Sequence, residues 1–198
     1  MQSTSTDGME VEITRPDLHE QTLDQVLVTP VILDKTTRAS IRMCDALQNE
    51  DTADLIAYIA EQHTLSYSVV TTTAITHGWC IVEHKHADVF KSLRNLRNDH
   101  IINNYPVFKR IKSGMSVNTD MGKPCLYGHV APECHDSLVS NSMLLRISIG
   151  KLATVCLLES LTSCTHTPAR YKSEITETLN IFDYSCNIIK EALEKIRY

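Results

Sequence analysis

Histidine and cysteine side chains, which together could hold a zinc ion, cluster at two places in the sequence. The first cluster contains His77, Cys80, His84 and His86, and the second contains Cys125, His129, Cys134 and His135. Structural zinc needs four ligands, usually nitrogen or sulfur, which often come in closely spaced pairs. Cys125 and His129 suit such a pair, but neither cluster contains two cysteines separated by two residues. We therefore expect ordinary loop residues and no metal site, and stoichiometric zinc in the purified protein would reverse that expectation.

Catalytic motifs with a known mechanical basis are missing from the sequence. It contains no nucleophile elbow, phosphate-binding loop, dinucleotide fingerprint or paired-histidine zinc-protease helix. The pair Gly122-Lys123 lacks the glycine-rich loop that would cradle a phosphate. We expect a protein that is not an enzyme and needs no cofactor, so its function should be a binding function.

The composition is typical of one globular domain in a reducing compartment. The chain has 198 residues, 42% of them hydrophobic, with a net charge of −5 and a pI of about 6.0. Nucleic-acid-binding domains usually have a pI above about 9, so we expect no nucleic-acid partner. Seven cysteines with irregular spacing favour free thiols over a disulfide framework. No signal peptide and no apolar run of about 18 residues are present, so a cytoplasmic location is predicted.

The strongest structural signal is an almost wholly apolar segment at Met143–Leu161. A helix without a polar face must be surrounded by other elements, so we predict that this segment is a buried central helix. Its charges at Arg146, Lys151 and Glu159 argue against a membrane span. The predicted fold class is all-α, a helical bundle in which amphipathic helices surround the central apolar helix.

The last segment, Ser173–Tyr198, has the clearest amphipathic pattern, with Ser173 as its expected N-cap. Its apolar residues alternate steps of four and three, as in a heptad seam. They are Ile175, Leu179, Phe182, Cys186, Ile189, Leu193 and Ile196. This seam either packs along the central helix or joins two copies in a homodimer.

Further helices are predicted at Ala39–Leu47, over residues 51–62 with an apolar stripe at Leu55, Ile56, Ile59 and Ala60, and at His86–Ile102. Trp79 is expected to be a packed anchor.

The remaining segments are less regular. Residues 66–73 are open between strand, loop and helix start, and residues 25–33 between an edge strand and an extended arm. Residues 113–141 are expected to be loops with one or two short helices, because they are rich in glycine and proline. We assign residues 1–20 to a disordered tail and residues 21–198 to a single helical domain.

Two segments resemble the B-cell lymphoma 2 (Bcl) family of apoptosis regulators. Leu93–Ile101, followed by Tyr105–Ile111, is similar to the family's death-motif helix, and its Pro-Val-Phe continuation resembles the Bok and Bak branch. Ser148–Val155 resembles the start of the family's central hairpin helix, with Gly150-Lys151 in place of a Gly-Arg pair. The family also packs amphipathic helices around an apolar helix.

The resemblance implies a regulator of apoptosis that binds amphipathic death-motif helices of other apoptosis regulators in a surface hydrophobic groove. Gly150 would allow a close backbone approach, and Lys151 would meet an aspartate of the ligand. The partner-binding residues implied are Val89, Leu93, Leu96, Asp99, Ile101, Phe108, Gly150 and Lys151. Peripheral membrane association at the mitochondrial outer membrane is implied as well.

An alternative keeps the helical fold and gives up the groove. The protein would then be a non-enzymatic adaptor or immune modulator with a Bcl-like fold, of viral or parasite type, acting through other surfaces or dimerisation. A groove filled by the protein's own side chains would favour this alternative. A central helix encircled by five or more helices would favour the Bcl-like interpretation, and one packed on a sheet would disfavour it.

Overall fold

The computed structural model describes residues 18–43, 52–96 and 126–196. The elements are a 3-10 helix at Leu18–Glu20, helix α1 (Leu23–Val26), strand β1 (Ala39–Met43), helices α2 (Thr52–Gln62), α3 (Tyr67–Lys85) and α4 (Ala87–Leu96), strand β2 (Leu126–Val130), and helices α5 (Pro132–Leu145), α6 (Ile149–Ser163) and α7 (Ala169–Ile196). The mostly helical class predicted from the sequence is confirmed.

Helices α3 and α6 pack along one another at the centre of the molecule. The consecutive residues 152–161 of α6 are all buried, as its apolar sequence requires. Helices α1, α5 and α7 also contact α6, and strand β1 covers its beginning. The central helix is thus packed against both helices and a strand.

The predicted helix at Met143–Leu161 is two helices in the structure, and this prediction was wrong about continuity. Arg146 has a left-handed backbone conformation with φ of 57°. The N–H of Ile147 donates to the carbonyl of Ser142, and the N–H of Arg146 donates to that of Met143, which is the Schellman pattern that ends helices. The hydroxyl of Ser148 then accepts the N–H of Lys151 and caps α6.

A two-stranded antiparallel sheet is the main feature that the sequence did not predict. Strands β1 and β2 pair with Ile41 opposite Gly128. Alternate side chains point to the core, so Ile41 and Met43 are buried while Arg42 is exposed. The helix predicted at Ala39–Leu47 is therefore wrong over 39–43, and the loops predicted over 113–141 include strand β2 and the start of α5.

Helix α7 confirms the predicted amphipathic helix but begins at Ala169, so Ser173 lies inside the helix and is not its cap. The six described seam side chains are all buried within one chain, namely Ile175, Leu179, Phe182, Cys186, Ile189 and Leu193. They pack against α6 and α4. The seam is thus already covered without a second copy.

Helices α2 and α3 decide three local predictions. The apolar stripe of α2 is buried as expected. The hydroxyl of Ser66 accepts the N–H of Val69 and caps α3, so the ambiguous residues 66–73 begin a helix. Trp79 is a packed anchor, with its ring centroid 5.7 Å from that of Phe90.

The predicted tail at 1–20 differs in its last three residues, which form the 3-10 helix against α3. Residues 1–17 lie outside the described part, as do the residues of the predicted helix at 86–102 that follow Leu96. The segment at 25–33 is not a strand. It contains the end of α1, a turn at residues 27–29 and then residues without regular secondary structure.

Candidate functional site

Gly150, which the resemblance places at a partner-binding groove, lies under the protein's own strand β1. A Cβ atom on Gly150 would overlap the carbonyl oxygen of Arg42. The glycine does permit a close backbone approach, as expected, but the approaching backbone belongs to this chain. Lys151, the next residue, is half-buried. Strand β1 therefore covers Gly150 in this structure.

Val89 and Leu93, two of the predicted binding residues on α4, are buried. They are 3% and 2% exposed, and α4 packs against α7 and α5. These side chains therefore belong to the packed interior, although Val89 also lines a small surface pocket between α4 and α7. Leu96 is the last residue of α4, and Asp99, Ile101 and Phe108 lie outside the described residues. The structure does not bring the described members of the predicted set into one open surface.

An open cleft of about 870 Å³ lies elsewhere, beside the segment that follows α1. We call residues 28–33 the arm. The N–H of Val31 donates to the hydroxyl of Thr73 at 2.9 Å and holds the arm against α3. The cleft is lined by residues of α1, the arm, α3 and the start of α5, among them Val26, Pro30, Ile32, Leu33, Thr76, His77, Glu133 and Cys134. This surface could not be found from the sequence, because its lining residues come from segments that are far apart in the chain.

His77 lies at the buried side of the cleft and is 1% exposed. Its Nε2 lies 3.1 Å from the carbonyl oxygen of Gln21, and its Nδ1 lies 2.8 Å from the hydroxyl of Ser160. Because a carbonyl can only accept, the neutral ring carries its proton on Nε2, and the Ser160 hydroxyl donates to Nδ1. Burial lowers the pKa of His77. The ring thus ties the N-terminal segment to both central helices as a neutral group.

A network of charges at the end of α3 joins three helices. The Lys85 ammonium donates to Glu159 of α6 at 3.0 Å and to Asp183 of α7 at 2.6 Å, and His86 Nε2 lies 2.9 Å from Asp183. Burial opposes the charged form of Lys85, but its hydrogen bonds to Asp183 and Glu159 outweigh burial and raise its pKa. We assign this network a structural role, because these charged side chains bind one another and so hold the three helices together.

The two histidine and cysteine clusters seen in the sequence do not form sites within the described residues. In the first, His77 and His86 bond to different neighbours, and the His84 ring stacks on His19. In the second, Cys125 lies outside the described residues, and His135 lies 3.6 Å from the exposed Asp136.

A third group, which sequence spacing could not reveal, comes together around one carboxylate. Asp24 of α1, His63 after α2 and Cys164 after α6 offer ligand atoms that lie within 4.8 Å of one another. Cys164 is fully buried, donates to Asp24 at 3.5 Å, and has its pKa raised by burial. An activated thiol needs a lowered pKa and a nearby base. Cys164 is therefore not poised as a nucleophile.

No family model, no curated protein and no solved structure matches this chain. Among the described helices, none is long and apolar enough to span a membrane.

Proposed function

We propose that the chain is a non-enzymatic adaptor that binds an amphipathic helix of a partner protein in the cleft beside the arm. The observation that supports this proposal is the contrast between the two surfaces. The space above Gly150 is filled by the backbone of Arg42, whereas the cleft is open and combines apolar and polar side chains. The alternative of a Bcl-like fold acting through another surface is thus preferred to the groove at Gly150.

The volume of the cleft is comparable to that of a short helical ligand. A helix with its side chains is about 10–12 Å wide and rises 5.4 Å per turn. A cleft of about 870 Å³ therefore holds roughly two turns of helix. Recognition of this kind needs apolar anchors at helical spacing, and the arm supplies an apolar wall through Pro30, Ile32 and Leu33.

The charge of the cleft indicates what kind of helix it could bind. Among the described residues that line the cleft, Glu133 is the one acidic side chain, and neither Lys nor Arg occurs. An occupant with a basic residue beside its apolar stripe would complement this carboxylate. The partner class, death-motif helices of apoptosis regulators, and the role in regulating apoptosis come from the resemblance described above and not from this charge, because the aspartate of such a helix finds no lysine or arginine among the described lining residues.

The arm offers a matched pair of variants to test the cleft. Ile32 and Val28 are both 79% exposed, but only Ile32 lines the cleft. In fluorescence anisotropy with labelled death-motif peptides, Ile32→Asp should weaken binding by at least ~10-fold, since a charge replaces an apolar contact. Val28→Asp should change the affinity by no more than about twofold.

The same titration distinguishes the two surfaces. Lys151→Glu should leave binding unchanged if the cleft is the site. A loss of binding in Lys151→Glu but not in Ile32→Asp would move the site to the start of α6 and contradict the proposal. Absence of binding by the unmodified protein up to about 100 μM would remove helix binding as its function.

A further inference from the structure

We propose that Asp24, His63, Cys164 and His166 form a binding site for a single zinc ion. Three atoms converge on Oδ1 of Asp24: Nε2 of His63 at 3.1 Å, Sγ of Cys164 at 3.5 Å and Nε2 of His166 at 3.8 Å. The four residues come from α1, the end of α2 and the turn between α6 and α7. The set lies outside the proposed helix-binding cleft.

The distances from Oδ1 of Asp24 to the other three atoms are close to the distances between neighbouring ligand atoms in a tetrahedral zinc centre. Zinc bonds of about 2.0–2.3 Å at tetrahedral angles place neighbouring ligand atoms roughly 3.3–3.8 Å apart. The three separations from Asp24 range from 3.1 to 3.8 Å. The ligand atoms of Asp24, His63 and Cys164 also lie within 4.8 Å of one another. These three residues are therefore the preformed part of the site, and a movement of the His166 side chain would complete the coordination.

The composition of the set selects the class of metal. One thiolate and two imidazoles favour a borderline-soft ion such as Zn²⁺ over Mg²⁺ or Ca²⁺, which require oxygen ligands. The thiolate of Cys164 and the carboxylate of Asp24 would together balance the charge of a divalent cation. Four protein ligands leave no position for a substrate, so the centre would be structural.

Neighbouring hydrogen bonds already orient the ligands. The N–H of Thr165 donates to Oδ2 of Asp24 at 2.6 Å, which leaves Oδ1 facing the other three groups. The hydroxyl of Thr167 donates to the carbonyl of Leu161 at 2.7 Å and fixes the turn that carries Cys164. Such outer contacts are characteristic of metal sites.

The second histidine argues against a simple ion pair. A salt bridge between His63 and Asp24 would need no further group. Yet His166 directs Nε2 toward the same oxygen from a distance too long for a hydrogen bond, and its ring is nearly perpendicular to that of His63, at 89°. Two imidazoles and a thiol around one carboxylate oxygen are explained together by a shared cation.

Metal binding can be measured on the full-length protein after removal of metals with a chelator. We expect one equivalent of Zn²⁺ by elemental analysis after reconstitution and dialysis, and a higher melting temperature in the reconstituted protein. Reconstitution with Co²⁺ should produce a thiolate-to-cobalt charge-transfer band. Cys164→Ser should abolish this band, and His63→Gln and His166→Gln should each weaken Zn²⁺ binding by at least ~10-fold.

Matched controls separate this site from the other histidines and cysteines. Cys80→Ser and His135→Gln, which alter residues of the two sequence clusters, should retain the band and the affinity. Circular dichroism of metal-free His166→Gln should match that of the metal-free parent, because His166 is partly exposed. Failure to retain zinc, or a band of full strength in Cys164→Ser, would refute the site. Neither result would bear on peptide binding in the cleft.

Discussion

Gly78 of α3 and Cys156 of α6 bring the two central helices into backbone contact. A Cβ atom on Gly78 would overlap the carbonyl oxygen and carbon of Cys156. The absence of a side chain at residue 78 thus sets the distance between the helices. Gly128 of β2 also lies close to α3, but there the nearest obstacle is the terminal methyl group of Ile75, a side-chain atom.

These two glycines should respond differently to the same substitution. Gly78→Ala should lower the free energy of unfolding by about 1–3 kcal/mol despite the better helix propensity of alanine, because backbone must move. Trimming Cys156 to alanine should not rescue it. Gly128→Ala should be partly rescued by Ile75→Val, which removes the obstructing methyl group, with a coupling of at least ~0.5 kcal/mol. Urea titrations of the single and double variants measure both effects. Equal rescue in the two pairs would contradict the structure.

Thr64, at the end of α2, has a backbone conformation that disfavours its own side chain. Its φ is 55°, and the N–H of Leu65 donates to the carbonyl of Ala60 as in a Schellman motif. Glycine adopts this conformation without steric cost. Thr64→Gly should therefore stabilise the protein by ~1 kcal/mol in thermal or urea unfolding, whereas Thr64→Ala should give a clearly smaller gain. A destabilised glycine variant would rule out the left-handed conformation.

The Lys85 network and an exposed ion pair form a second matched comparison. The side chain of Glu159 is only 9% exposed, so Lys85→Met leaves a buried carboxylate without its cation and should cost about 1–3 kcal/mol. Lys190→Met removes a pair in which the Asp88 side chain is 79% exposed, and should cost no more than about 0.5 kcal/mol. The double variant Lys85→Met/Glu159→Leu should recover most of the loss. Chemical denaturation of all three variants provides the measurement.

Asp183 gives the same network a pH dependence at acid pH. Burial alone would raise its pKa, but hydrogen bonds from His86 and Lys85 outweigh burial and lower the pKa below 3.8. The stabilisation from Asp183 should be complete above its unfolded pKa and be lost as the pH falls through the folded value. Asp183→Asn should flatten the stability curve below pH ~4, and an unchanged curve would argue against the pairing.

His77 should make the stability depend on pH closer to neutrality than Asp183 does. The group that favours folding is here the neutral imidazole and not a charged side chain. Its folded pKa lies below the ordinary value of 6.5 because it is buried, so below pH 6.5 the unfolded chain binds a proton that the folded chain does not. Stability should therefore fall as the pH drops below 6.5, by at most about 1.4 kcal/mol per pH unit. In chelator-treated protein, His77→Gln should show a flatter profile between pH 7 and 5. His135→Gln should retain the parent slope, and the loss of slope in both variants would implicate another group.

Sequence periodicity was sufficient for elements that are long and regular. The stripe of α2 and the seam of α7 are buried as predicted because each repeats at helical spacing. Arg146 shows where periodicity fails to predict a helix end. Glycine normally marks a helix end of this kind, so an arginine in the left-handed conformation gave no sign that the apolar run was interrupted. Strand β1 was missed because its partner is distant in the chain.

The candidate sites depended even more on tertiary structure. Asp24, His63 and Cys164 have no spacing that could suggest a common ligand, since they meet only after three helices have packed. Conversely, His84 and His86, which lie two residues apart at the end of α3, contact different neighbours. The resemblance at Gly150 correctly indicated a close backbone contact. Which backbone makes that contact could only be seen in the folded chain.

The pairing of β1 with β2 has a consequence for how the chain folds. Ile41 and Gly128 face each other across the sheet, while α2, α3 and α4 lie between them in sequence. Joining the ends of so long a loop carries an entropic cost that is repaid only after the ends have met. The helical segments can form locally before that point. We therefore expect the sheet, and with it the strand that covers Gly150, to be completed late in folding, after α3 and α6 have formed the surface on which it rests.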